Sequence, residues 1–249
     1  MPLNNGDFVL IEYTARVKET GNIIDTTNEE IAKREGIYDS NKIYGPTLVI
    51  IGKGWVIKGL EEALKEMDVG VEKEIEIPPE KAYGERDPNK VKIVSMREFR
   101  RRGLDVKIGD VIDFGGVTGI VKSISGGRVV VDFNHPLAGK TLIYKVKVVK
   151  KLEDVNEKLK ALAARHLRLK PNEIQVTYDS NEKTVYINIP TRIMTRKDIQ
   201  YAKIALVTDI YELFKEEVKK IVFQEIFERK EEKKEEKEKE EKTSEEASQ

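Results

Sequence analysis

Gly52-Lys53-Gly54-Trp55-Val56-Ile57-Lys58-Gly59-Leu60 is the stretch that decides how this chain folds. The glycines close an apolar run, Leu48 to Ile51, after which Ile57, Leu60, Ala63, Leu64 and Met67 recur at i, i+3, i+6, i+7 and i+10. That spacing predicts a short helix over 57–67 with one buried face. Val69-Gly70 ends it. Val71, Lys73, Ile75 and Ile77 then share one side of a strand, which Pro78-Pro79 stops because prolines supply no ladder donors. Upstream, residues 7–17 alternate, with Val9, Ile11, Tyr13, Ala15 and Val17 opposite Glu12, Thr14 and Arg16, the pattern of a half-buried strand. Thr20-Gly21-Asn22 turns the chain, and the polar residues 28–46 read as an excursion.

Downstream the character changes. Residues 86–136 begin with a charged turn, continue with a short helix near 95–102, and end in Gly-punctuated strands at 110–114, 117–124 and 128–133. Residues 1–85 carry ten basic and seventeen acidic groups, whereas 86–136 carry ten and six, and this sign change supports a module boundary. Leu142 to Val149 is one more strand. An amphipathic helix over 153–168 follows, then a hairpin of Ile174–Tyr178 and Thr184–Ile189 turning at Asp179-Ser180-Asn181. Thr195 to Asp198 reads as a capping box. It would open a long helix whose stripe runs through Ile199, Ala202, Leu206, Ile210, Leu213, Phe214, Val218 and Ile221, with Tyr211 and Phe223 alongside. Residues 152–228 therefore read as a further α+β domain. The charged run from Glu228 onward buries nothing, so 229–249 reads as a solubilising, disordered tail.

Composition removes whole classes of chemistry. The chain has 249 residues, 45 basic and 45 acidic, so no net charge argues for nucleic acid or an anionic membrane. No cysteine is present, which excludes disulfides, thiolate metal sites and a cysteine nucleophile. There is no apolar run of the roughly 20 residues that a membrane span needs, and the start lacks a secretory pattern, so the expected location is cytoplasmic.

The tempting motifs fail on context. Gly139-Lys140-Thr141 ends like a phosphate-binding loop, but position 134 is Asn and a strand follows where a helix is required. Gly52-x-Gly54 lacks the third glycine of a dinucleotide turn at 57. Arg100-Arg101-Arg102 reads as a solvated helix end. His135 sits in a turn without metal-ligand companions, and His166 lies on an apolar stripe as an interface residue. No metal is expected.

Taken in order, Tyr13, Ile24-Asp25, Gly52 to Leu60, Val69-Gly70, Ala82-Tyr83-Gly84 and Asn134-His-Pro-Leu-Ala-Gly-Lys-Thr-Leu142 with Tyr144 resemble the FKBP-type peptidyl-prolyl cis–trans isomerases. The resemblance covers 5–151, with an insertion where SlyD-like and archaeal long members carry an insert-in-flap chaperone domain. It implies an α+β fold: an antiparallel half-barrel (1–85 plus 137–151) around a short helix, an inserted β-rich domain (86–136), and the C-terminal α+β domain. It also implies a proline pocket, with Tyr13, Asp25 and Tyr83 catalytic and Ile24, Val56, Ile57, Leu60, Leu137 and Tyr144 binding substrate. Leu60 stands where many members have a Trp floor, and Trp55 is displaced from that position and set aside. Asp25 would be the one charge among apolar neighbours, orienting Tyr13 or polarising the twisted amide.

The implied activity needs no cofactor. Its partners would be unfolded, proline-containing polypeptides, which the insert would hold. A binding-only chaperone with a degenerate pocket is the alternative. The long C-terminal helix would pack internally or pair with a second copy of the chain.

Overall fold

The computed structural model describes residues 2–227; the expected tail at 229–249 lies outside them. Strand β1 (Phe8–Val17) is the spine of the first sheet. Its two sides serve different purposes: Val9, Ile11, Ala15 and Val17 enter one apolar cluster, while Phe8 and Leu10 join another. β2 (Ile23–Thr26) pairs with the C-terminal half of β1, and β3 (Thr47–Ile50) with the N-terminal half. Between them, the polar excursion holds a helix absent from the sequence reading, α1 (Glu29–Arg34), capped by the Asn28 side chain accepting from the Ile31 amide.

The expected helix is α2 (Lys58–Lys65), and β4 (Glu72–Ile77) follows. Leu60, Leu64 and Met67 pack onto the concave side of the sheet with Ile77. Gly59 permits this approach, since a Cβ there would lie 2.4 Å from Ile77 Cγ2.

The inserted segment builds a separate four-stranded sheet. Its elements are β5 (Val91–Ser95), α3 (Met96–Arg101), β6 (Val111–Asp113), β7 (Thr118–Ser125) and β8 (Arg128–Asp132), ordered β5-β8-β7-β6 around buried Phe99. β5 corrects the reading of a charged turn; its polar residues sit on an exposed edge strand whose pairing with β8 is set by the fold, not by local pattern.

A polar clamp ties together the two ends of this unit, where the chain enters and leaves it. Arg86 donates to Asp132 Oδ2 (2.8 and 3.2 Å), and Asn134 exchanges hydrogen bonds with the Asp87 backbone (2.9 Å each way) while donating to Asp132 Oδ1. Burial opposes ionisation of Asp132, but Arg86 and Asn134 outweigh it and hold the carboxyl down at about 2.

β9 (Leu142–Leu152) returns between β1 and β4, giving the order β2-β1-β9-β4 with β3 on β1. The remainder comprises α4 (Val155–Leu167), β10 (Gln175–Asp179), β11 (Thr184–Ile189), α5 (Ile199–Leu213) and β12 (Lys220–Glu225). Here two expectations are corrected. α5 stops at Leu213, because Phe214 and Val218 turn into the core and Lys220–Glu225 pairs in parallel with β11. The stretch around Ile221 and Phe223 fits both periodicities, and the vacant edge of β11 decides between them. The capping box is also absent: Asp198 caps nothing with its side chain, which instead accepts two bonds from Arg196.

α4 and α5 cover the outer face of the first sheet, where Phe8, Leu48, Ile50 and Leu152 share one core with Leu159, Leu206, Ile210 and Phe214. Among the described residues no helix is long and apolar enough to cross a membrane.

Candidate active site

Pairing register brings distant residues to the concave face. Ala15 opposes Asp25 on β2 and Tyr144 on β9, which places Tyr13, Asp25 and Tyr144 around one point of the sheet. The loop into α2 supplies the opposite wall. Its geometry is fixed by Glu61, whose Oε1 accepts from the amides of Gly52 and Gly54, both at 3.0 Å. Tyr83 arrives from the turn after Pro78-Pro79.

Tyr13, Asp25, Val56, Ile57, Leu60, Tyr83 and Tyr144 converge on one cavity of about 350 Å³, together with Gly54 and Trp55. Ile24 and Leu137 do not line it; both pack against the surrounding core. Trp55, set aside in the sequence, forms part of the wall.

The Tyr13 hydroxyl donates to Asp25 Oδ2 at 2.6 Å, and its ring lies 5.6 Å from that of Tyr144. Asp25 is not the lone charge expected. Its Oδ1 accepts from the Thr26 amide (2.8 Å) and from Lys42 Nζ, which also donates to the Thr26 carbonyl (2.9 Å). Lys42 comes from the excursion, and no local pattern marks it.

Tyr83 has a partner of its own: the His135 ring lies face to face with it at 4.3 Å and 3°. His135 Nδ1 accepts from the Leu137 amide (3.1 Å), which fixes the imidazole's direction. Among the described residues no group of three or more His, Cys, Asp or Glu is arranged to hold a metal.

Burial pushes the Tyr13 phenol far above its ordinary value, and the bond to Asp25 pushes the same way. Tyr144 and Tyr83 are likewise raised, first by burial. All three stay protonated donors at neutral pH. The hollow therefore presents hydroxyl donors on an apolar surface, a setting suited to a neutral carbonyl-bearing group and costly for an ion.

Both halves of the chain match known proteins. Residues 92–137 match the family model "FKBP26, IF domain", and 155–228 match "FKBP26_C-terminal". A short-type peptidyl-prolyl cis-trans isomerase of Methanocaldococcus jannaschii is 38% identical over 146 residues, covering 59% of this chain and 92% of that one. FKBP-type isomerases named SlyD from Helicobacter pylori and Treponema pallidum are 33% and 34% identical, over 63% and 66% of this chain and 78% and 87% of theirs. The chain belongs to the FKBP-type peptidyl-prolyl cis–trans isomerases of the SlyD and archaeal type, and is an isomerase.

A raised phenol has a definite consequence for stability. Below the unfolded tyrosine value of 10.0, the protonated form costs nothing; as pH climbs beyond it, the unfolded chain ionises first and the folded state loses stability. Denaturant unfolding from about pH 8 to about pH 12 should show wild type losing stability more steeply above pH 10 than Tyr13→Phe. Parallel losses would contradict the buried phenol.

Proposed function

We propose that this cavity is where the chain rotates X–Pro bonds, with Tyr13, Asp25 and Tyr83 as catalytic residues and Val56, Ile57, Leu60 and Tyr144 as the substrate surface. The observation that carries this reading is their convergence on one hollow from five separate stretches of sequence. Rotation must break amide resonance, against a barrier of roughly 18–20 kcal/mol. The planar amide is strongly dipolar and well solvated by water, whereas the twisted one is less polar. An apolar hollow therefore disfavours the ground state more than the transition state, and each ~1.4 kcal/mol of that difference is a tenfold gain in rate.

Tyr83, 38% exposed at the rim, is placed to donate to the substrate carbonyl next to the proline. Both Asp25 oxygens are already engaged, by Tyr13 on one side and by Thr26 and Lys42 on the other, which supports orientation of Tyr13 over direct polarisation of the amide.

The insert, read as 86–136, is proposed to hold unfolded polypeptide and deliver prolines to the half-barrel of 1–85 plus 137–151. Supporting this are exposed apolar side chains, Ile93 (68%), Ile108 (66%) and Val111 (69%), and two edge strands, β5 and β6, able to accept extended chain. The 152–228 unit is proposed to pair with a second copy through Tyr201 and Ile204, which α5 leaves in solvent, and Ile226 and Phe227 beyond β12.

In a prolyl-peptide assay, Asp25→Asn and Tyr83→Phe should each lower kcat/KM about tenfold; unchanged rates would dismiss the pocket. Ile93→Asp combined with Val111→Asp should abolish suppression of aggregation of an unfolded protein while sparing short-peptide turnover, and retained suppression would move holding elsewhere. Light scattering should give twice the chain mass for wild type and a single mass for Tyr201→Glu/Ile204→Glu; a wild-type monomer would remove the pairing.

A further inference from the structure

We propose that Arg165, outside the half-barrel on α4, is a positioning residue for the isomerase pocket, acting through Trp55. The proposal rests on the pocket reading above and adds a residue to it from the C-terminal unit.

Trp55 faces two ways. It lines the cavity with Val56 and Ile57, yet its other neighbours belong to the core shared with α4 and α5. The Arg165 guanidinium carbon stands 4.4 Å from the indole centroid, within cation–π range. That guanidinium is itself anchored, since Nη1 donates to the Leu48 carbonyl on β3 at 3.1 Å. The His166 ring meets the indole edge-on at 6.5 Å and 88°, and Asp209 on α5 holds His166 by a 2.7 Å hydrogen bond.

Two residues earlier, Lys53 pairs with Glu212, also on α5. Glu61 grips the same loop from the half-barrel side through Gly52 and Gly54. The wall formed by 52–57 is thus fixed from both directions, with outer support from Arg165 and His166 on α4 and Glu212 on α5.

A displaced wall residue misaligns a bound prolyl bond even where the fold survives. The planar fork matters here: it stacks on the indole and reaches Leu48 together, which a lysine ammonium does not reproduce.

The test uses the full chain, because Trp55 is its sole tryptophan and reports on the wall directly. Wild-type emission should change on adding a short prolyl peptide. Arg165→Met should lower kcat/KM about three- to tenfold, mostly through KM, with red-shifted emission and a reduced response to peptide. Arg165→Lys, which keeps the stem and charge, guards against a folding defect and should fall between Met and wild type.

Wild-type kinetics and emission in both variants would overturn the proposal. So would a loss of activity that matches the fraction unfolded by circular dichroism while the folded fraction keeps wild-type emission. If wild-type emission ignores the peptide and Asp25→Asn stays active, the pocket reading itself fails; if wild type responds and Arg165→Met responds identically, only the role of Arg165 fails.

Discussion

Phe8 and Leu10 leave β1 on one side and Val9, Ile11, Ala15 and Val17 on the other, so a single strand must satisfy two apolar cores. Side chains alternate along a strand, and a one-residue slip would send each set to the wrong face. Register is therefore specified on either side of one irregularity between Leu10 and Ile11, from Phe8 opposite Leu152 to Val17 opposite Leu142. The same register puts Tyr13 and Tyr144 beside each other and lays Asp25 within reach of the Tyr13 hydroxyl. The pocket is a by-product of that pairing.

Electrostatics then keep the hollow usable. An uncompensated carboxylate among aromatics would be costly, and Lys42 relieves it without filling the cavity. The remaining side-chain polarity is chiefly hydroxyl: phenols held protonated by burial. Such a surface can donate to a carbonyl yet offers little to the full dipole of a planar amide. The clamp of Arg86, Asp132 and Asn134 sits only a few residues from Tyr83 and His135, so the insert's two connections run directly past the rim of the pocket.

Much of this was legible in the chain, for local reasons. Alternation marked β1, helical spacing marked α2, and the order of short motifs marked the family, because each is written within a few neighbouring residues. What escaped depends on contacts across long separations. Lys42 reaches Asp25 from a loop with no periodicity; Arg165 meets Trp55 from more than a hundred residues away; β5 and β12 take their form from the edges they complete. Ile24 and Leu137, which the resemblance put at the pocket, are half-buried against the same core as Tyr13, Val56 and Ile57 but lie outside the cavity lining. Trp55 was set aside because it does not occupy the floor, and it turned out to be wall.

The central proposal is that a prolyl bond rotates in this hollow. Nuclear magnetic resonance addresses it with one titration, using a short proline-containing peptide and its alanine counterpart. The account predicts that the prolyl peptide alone perturbs resonances of Tyr13, Trp55, Tyr83 and Tyr144, and that its cis–trans exchange, uncatalysed on the order of 10–100 s, accelerates in step with those shifts. Accelerated exchange with the pocket resonances unmoved, or pocket shifts with exchange still at the uncatalysed rate, would contradict it.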